Sequence, residues 1–369
     1  MVIEAVGLLG AGTTGTELAG VLLLNGFQIR VYDDFKDRLS ICMAKLKWKF
    51  EEEGKESLLS SIELIQDISL FKGADIVIET INREMDERKI YFNRLKKIVE
   101  PGCIIALNTG TNLVGNSLEI LDIAPERCLG LNFMKPAAKN KLVEIVRTEN
   151  ARDEAVEVTE QFLEKLGKKP VVVRDNPGAI AHRLLQAYFI AAFNVLAAGK
   201  GFPRDIDFAF TRISGAKMGP FELIDFLGLD KTYSAALKIY EMLGKPPRLE
   251  PSRVHTKLVQ YGQLGKSSTV GIYIYEDGSR IGENPILANI IQYLGLRKAS
   301  DEEIFASIFS PVLEEAKILA SEIMVSEYDI ETVAKIGFGW PKGIFGCYRE
   351  NKELLTPKRK SEFENLDAF

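Results

Sequence analysis

The sequence predicts an α/β domain followed by an all-helical one, on three observations. Residues 2 to 34 read as strand, glycine-rich turn, helix and second strand. From there to residue 174, apolar strand-like runs alternate with helix-like stretches. Past Pro177 strands nearly vanish, and long apolar segments with helical period take over. Alternation of strands and helices argues for a mainly parallel sheet covered on both faces. A sustained helical period argues for helices packed on helices.

The first unit is the most informative. Val2 to Leu9 is apolar enough for a buried strand, and it runs into Gly10-Ala11-Gly12-Thr13-Thr14-Gly15. A helix-like stretch follows, Thr16 to Leu24, and a second strand, Gln28 to Tyr32, ends on Asp33. Gly10 permits the tight turn, Gly12 lets a pyrophosphate approach the backbone, and Gly15 lets the helix pack close to the strand. The helix N-terminus offers free N–H groups and the positive end of its dipole to phosphate. Asp33 stands 18 residues beyond Gly15, where a carboxylate accepts hydrogen bonds from the adenine ribose and repels a 2′-phosphate. The unit is therefore expected to bind NAD rather than NADP. A ligand-free glycine turn would explain the glycines but not Asp33.

Composition excludes several classes. The 369 residues suffice for two or three domains, and 46% hydrophobic with 27% charged residues is ordinary for a globular chain. A net charge of −5 gives no basic field for nucleic acid. No apolar run approaches the length of a membrane span, and the chain enters a strand directly, so no signal peptide is expected. Cys42, Cys103, Cys128 and Cys347 form no CxxC pair and no metal-like spacing; they are expected to be reduced thiols of a cytoplasmic protein, with no metal site. The two histidines are His182 and His255.

Further along, residues 36 to 57 read as a basic helix. Strands are expected at Ile62–Ile65, Asp75–Glu79, Cys103–Leu107, Cys128–Phe133, Lys141–Val146 and Pro170–Val173. Helices are expected at Asp86–Ile98, Asp153–Leu166 and Ala179–Ala198. Asp175-Asn176-Pro177-Gly178 breaks regular structure and marks the boundary, giving a nucleotide domain at 1–174. In the helical part, Asp205-Ile206-Asp207 with Gly215 and Gly219 recurs as Asp329-Ile330-Glu331 with Gly339 and Gly343, offset by 124 residues (329 − 205). That suggests a tandem repeat, with helical units at 175–290 and 291–369, the latter ending in a frayed tail from Pro357.

These strings resemble the 3-hydroxyacyl-CoA dehydrogenases over essentially the whole chain. Beside the glycine fingerprint, Asp75-Ile76-Val77-Ile78-Glu79-Thr80 is similar to the family's fourth strand, and Leu107-Asn108-Thr109 to its Ser-Asn-Thr turn. Gly130-Leu131-Asn132-Phe133-Met134-Lys135-Pro136 is similar to Gly-Leu-His-Phe-Phe-Asn-Pro, and Lys141-Leu142-Val143-Glu144-Ile145-Val146 to Lys-Leu-Val-Glu-Val-Ile. Asp175 to Gly178 followed by Arg183-Leu184-Leu185 resembles the interdomain entry. The most specific string is Met218-Gly219-Pro220-Phe221-Glu222-Leu223-Ile224-Asp225, and Gly262 to Gly265 with Gly271 to Tyr275 resembles the close of the first helical unit. The resemblance implies a Rossmann-type NAD-binding domain joined to a helical domain, with the active site in the cleft between them. It implies hydride transfer between NAD and C3 of a 3-hydroxyacyl-CoA. In the family the histidine of Gly-Leu-His is the base, the strand glutamate orients and charges it, and a serine and an asparagine hold the substrate oxygens. In longer relatives a second helical unit mimics the partner of a dimer, so either a monomer or a homodimer is expected.

The chain departs from that pattern at the chemistry. Asn132 stands at the histidine position, and His182 at the family's asparagine just before Arg-Leu-Leu. The serine is Gly110 or, with a one-residue shift, Thr111. Arg83 replaces an acid, Arg88 a lysine, and Lys135 the asparagine before proline; Glu144 alone is retained. Two readings compete. In one the base has moved: His182 takes the proton, Asn132 donates a hydrogen bond and Glu144 favours the imidazolium. In the other His182 is a structural helix histidine and the chain binds NAD and acyl-CoA without turnover. A third reading makes Lys135 the base for a different hydroxy acid, which requires desolvation of the amine. Glu144 has an alternative partner in Lys141, and His255, in a polar stretch, is expected to face solvent. The family pattern makes Arg83, Arg88 and Lys135 candidates for cofactor contact, and Lys45 and Lys49, four apart on the basic helix, candidates for the nucleotide end of coenzyme A.

Overall fold

The computed structural model describes residues 2–81, 83–290, 299–322 and 325–355. The expected tail from Pro357 lies outside them. By internal contact the chain divides into two compact units, the first mainly residues 2–183 and the second mainly 184–240, 245–322 and 326–355.

The first unit is an eight-stranded sheet. Its elements are β1 Ala5–Leu9, α1 Thr13–Leu24, β2 Gln28–Tyr32, α2 Lys36–Glu53, β3 Ile62–Ile65, β4 Ile76–Glu79, α3 Met85–Leu95, β5 Ile104–Asn108, α4 Val114–Leu121, β6 Cys128–Phe133, β7 Leu142–Arg147, α5 Asp153–Lys165 and β8 Lys169–Arg174. Strand order is β3-β2-β1-β4-β5-β6-β7-β8. Every pair is parallel except β6 with β7. The central strands β4 and β6 are buried along their whole length, as strands covered on both faces require. The order reverses between β1 and β4, where Gly10 leaves the sheet, and such a switch point is where these folds bind nucleotide.

Asp175, at the end of β8, accepts from Val114 N at 2.9 Å and Gly115 N at 2.7 Å, and so caps the first turn of α4. The boundary string thus does structural work inside the first unit, whose main stretch reaches Arg183 rather than ending at 174.

The second unit holds most of α6 Ala181–Ala197, α7 Pro203–Ser214, α8 Pro220–Leu227, α9 Leu229–Met242, α10 Arg253–Gln260 and a hairpin, β9 Tyr273–Glu276 with β10 Ser279–Glu283. It continues through α11 Leu287–Ile290, α12 Asp301–Glu322, α13 Glu327–Thr332, α14 Phe345–Glu350 and α15 Lys352–Leu355. The helical stretches expected as two domains, 175–290 and 291–369, group as one among the described residues, because they share an aromatic core. Tyr188 meets Phe210 at 4.6 Å and Trp340 at 5.0 Å between ring centroids, and Phe210 meets Phe305 at 5.7 Å.

An acid in each of the two strings caps a helix. Buried Asp207 accepts from Phe221 N and Glu222 N at 2.8 and 3.0 Å, capping α8, and Glu331 accepts from Gly346 N at 2.9 Å, capping α14. Glu222 and Gly346 keep the offset of 124 residues (346 − 222). All four cysteines are free and buried.

His255 does not face solvent. It is 3% exposed, lies stacked on Phe193 at 5.0 Å, and its Nε2 is 2.9 Å from the Leu229 carbonyl. The apolar period of α10 turns it inward although its sequence neighbours are polar. Burial pushes its pKa down to about 4. As pH falls from about 6.5 to about 4, the unfolded chain takes up a proton that the folded chain refuses, so stability present above that window is lost through it, by about 3 kcal/mol at this site. Thermal melts should therefore show a lower Tm at pH 4.5 than at pH 7. His255→Gln, which keeps a donor toward Leu229, should shrink that difference.

Candidate active site

The glycine turn behaves as its residues require. Gly10 has φ +122°, a conformation L side chains rarely adopt. A Cβ on Gly15 would lie 2.0 Å from the Gly10 carbonyl oxygen, so any side chain there would push α1 off β1. At Gly12 a Cβ would meet no described atom within 4 Å, which leaves the backbone open to an approaching phosphate. The Thr80 hydroxyl donates to the Gly10 carbonyl at 2.9 Å and braces the turn from β4, a contact the sequence did not signal.

Asp33 is 4% exposed, and its Oδ2 accepts from Ala11 N at 3.0 Å while Oδ1 accepts from Phe35 N at 3.1 Å. It therefore joins the end of β2 to the glycine turn, and each oxygen keeps a lone pair for a ribose hydroxyl. These residues fit the adenosine and pyrophosphate of NAD.

The other cofactor candidates separate. The Arg83 guanidinium lies 4.9 Å over the Phe35 ring, close in sequence to Asp33. Lys135 is exposed. Arg88, a candidate for cofactor contact, is turned inward: it is 8% exposed and pairs with Glu79 at 2.7 Å. Glu79 ends a fully buried strand, where burial pushes its carboxyl up to about 7 even with Arg88 beside it. An unpaired carboxylate there would be costly, and Arg88 is the residue that neutralises it.

The polar cluster is built on β6, β7 and the start of α6. Antiparallel pairing sets Asn132 directly opposite Glu144, so both side chains leave the same face. Glu144 is completely buried. Its Oε2 accepts from Asn132 Nδ2 at 2.6 Å, and its Oε1 accepts from Ile180 N and Ala181 N, both at 2.9 Å. Burial pushes this carboxyl above its ordinary range, and the three donors pull it back. Asn132 Nδ2 also lies 3.3 Å from His182 Nδ1. Asn132, Glu144 and His182 thus converge, as the relocated-base reading requires.

Two details differ from that reading. Glu144 bonds the Asn132 amide and two backbone N–H groups, not Lys141 and not the imidazole, so it does not charge the ring. His182 is half-buried, and burial followed by the charge of Lys135 pushes it down to about 4, so the ring is neutral at neutral pH.

Gly110, not Thr111, lies against this ring. A Cβ at 110 would sit 2.7 Å from His182 Cε1 and 2.9 Å from Nε2. Thr111 is half-buried on the loop after β5. Lys45 and Lys49 line a groove of about 340 Å³ between α1 and α2, with Thr16, Gly20, Ala138 and the exposed Trp48. No group of three or more metal-ligating side chains occurs among the described residues, and no described helix is long and apolar enough to cross a membrane.

A dinucleotide turn at the switch point of a parallel sheet, with imidazole, amide and carboxylate clustered in the same unit, is the equipment of an NAD-dependent oxidoreductase. The chain belongs to the 3-hydroxyacyl-CoA dehydrogenase family. The family's NAD binding domain matches residues 5–176, and its C-terminal domain matches residues 178–275, which include the first of the two recurring strings and not the second. The chain is 32% identical over 277 residues to a probable 3-hydroxybutyryl-CoA dehydrogenase of Deinococcus radiodurans, covering 73% of this chain and 99% of that protein. It is 33% identical over 291 residues to the mitochondrial hydroxyacyl-coenzyme A dehydrogenase of Sus scrofa, covering 75% and 92%. A crystal structure of 3-hydroxybutyryl-CoA dehydrogenase from Escherichia coli K12 shares the fold, with a TM-score of 0.83 at 23% identity over 95% of this chain and 92% of that one.

Two substitutions test this construction. Asp33→Ala should weaken NAD binding on the order of tenfold or more, since a hydrogen bond to a charged group contributes about 1.5–3 kcal/mol, and should narrow the preference over NADP; fluorescence titration with both nucleotides reads it. Glu144→Ala leaves three buried donors without an acceptor and should cost on the order of 3 kcal/mol of stability. A denaturant midpoint equal to that of the wild type would contradict the structural role assigned to this carboxylate.

Proposed function

We propose that this chain transfers a hydride between C3 of a 3-hydroxyacyl-CoA and NAD, at a site whose polar groups have been rearranged. The observation that carries the proposal is the convergence of Asn132, Glu144 and His182 in one hydrogen-bonded cluster within the nucleotide-binding unit. The curated relatives, by their names, act on 3-hydroxybutyryl-CoA and other hydroxyacyl-coenzyme A thioesters.

Bound NAD would supply the acceptor for the C3 hydride; in the net oxidation the hydroxyl proton would leave to solvent. The rest falls to the chain. Gly10, Gly12 and Gly15 would hold the pyrophosphate and Asp33 the adenine ribose, with Arg83, over the Phe35 ring, and exposed Lys135 as further cations for the nucleotide. Arg88 acts on that site through Glu79. His182 meets the C3 oxygen, Asn132 sets the ring, and Glu144 anchors Asn132. Thr111 flanks the acyl group. Lys45 and Lys49, beside the exposed indole of Trp48, receive the nucleotide end of coenzyme A, where two ammonium groups and a flat apolar surface suit phosphate and adenine.

A second reading, an NAD and acyl-CoA binder without turnover, draws support from the missing contact between imidazole and Glu144. NADH formation from 3-hydroxybutyryl-CoA decides. Turnover is expected, with His182→Ala lowering kcat about 10²-fold while the affinity for NAD is kept. NAD binding with no turnover on any hydroxyacyl thioester overturns the proposal in favour of the binder. Turnover confined to free hydroxy acids overturns its substrate class.

A further inference from the structure

We infer that Gly110 and Asn132 together hold the His182 imidazole as a neutral hydrogen-bond donor: Gly110 by leaving its side-chain space to the ring, and Asn132 by donating to Nδ1 so that the proton stays on Nε2. The inference rests on the function proposed above and specifies the chemistry of its site.

Space comes first. A Cβ at position 110 would lie 2.7 and 2.9 Å from the Cε1–Nε2 edge of His182, closer than real Cβ contacts come. The backbone makes no demand for glycine there, since Gly110 is not among the glycines with positive φ. The missing side chain is therefore a matter of volume. The ring at 182 fills what a side chain at 110 would take, so these two positions are sterically coupled. The glycine is a positioning residue.

The proton count comes next. Two backbone N–H groups occupy Glu144 Oε1, and the Asn132 side chain meets Oε2 at 2.6 Å. A carboxylate only accepts, so Asn132 turns its NH₂ toward it. The same nitrogen lies 3.3 Å from His182 Nδ1 and has only hydrogens to offer. Nδ1 must then supply its lone pair, and a neutral imidazole that accepts at Nδ1 carries its hydrogen on Nε2. Asn132 Oδ1 lies 3.5 Å from the Gly110 Cβ position, on the same side as the Nε2 edge. One acceptor and one donor are thus presented together, which suits an alcohol: its O–H donates to Oδ1 while its lone pair accepts from Nε2–H. For the ketone, Nε2–H alone polarises the oxygen, as neutral imidazoles do in other enzymes.

Two charges flank the ring with opposite sense. Lys135 disfavours an added proton; the Glu144 carboxylate would favour one, but it bonds the Asn132 amide and not the ring, and burial with Lys135 outweighs it. The ring is therefore expected to impose no titration on the rate near neutrality, unlike a histidine base.

The test has a spectroscopic arm and a kinetic arm. With only two histidines in the chain, ¹⁵N NMR of the ring nitrogens is simple, and loss of one set in His182→Asn assigns His182. The wild type should show the Nε2–H tautomer at neutral pH. Glu144→Gln should turn an N–H toward Asn132, flip that amide and move the imidazole proton to Nδ1. In reduction of acetoacetyl-CoA by NADH, His182→Gln should keep about a tenth of wild-type kcat/KM with the same pH profile between about pH 6 and 8. Gly110→Ser should lose about 10²-fold in kcat/KM when His182 is present, and less than about threefold more in the His182→Asn background. Retained NAD binding shows that the serine variant is folded. An Nδ1–H tautomer in the wild type overturns the inference, as does a pH limb that vanishes in His182→Gln, or a serine at 110 that costs nothing. A wild type without turnover defeats the proposed function alone, and the NMR arm still decides the tautomer.

Discussion

A single buried carboxylate organises the site. Glu144 has no exposed surface, and it holds the amide of Asn132 on β6 together with the first N–H groups of the segment entering α6. Burying a charge is costly unless its lone pairs are filled, so Glu144 is tolerable only where it sits, and the elements that fill it are fixed relative to one another in return. Strand register supplies one partner and the helix start supplies the others. His182, the second residue of that helix, is placed by the same tie.

The same constraint ties Gly110, Asn132 and His182 together. The Nε2 edge of the His182 imidazole occupies the space that a side chain at 110 would take. The Asn132 amide gives Glu144 a donor, which an apolar side chain would not. Burial and Lys135 together keep the ring neutral, so what reaches the site is polarity without added charge.

Much of the fold was legible because it is local. The strand, glycine turn, helix and second strand at the N-terminus depend on short-range steric rules, and the expected strands lie within a few residues of those observed. Asn132, Glu144 and His182 were legible as candidates because their residue types depart from, or keep to, an otherwise matching string. Other features were not readable. His255 looked solvated from its polar neighbours, yet α10 turns it onto Phe193. Arg88 read as a candidate for cofactor contact, yet its guanidinium pairs with buried Glu79. The helical stretches before and after residue 290 looked like two units, yet Tyr188, Phe210, Phe305 and Trp340 make them share one core.

The sequence by itself determined the nucleotide unit, the order of its strands and helices, and the candidates for its chemistry. Those rest on backbone conformation, periodicity and side-chain type, which are properties of short stretches. Tertiary structure decided which groups His182 meets, what fills the space beside Gly110, and which charges are neutralised internally. Each of these depends on contacts between residues far apart in the chain and on how much water remains around them, and neither is written in any single segment.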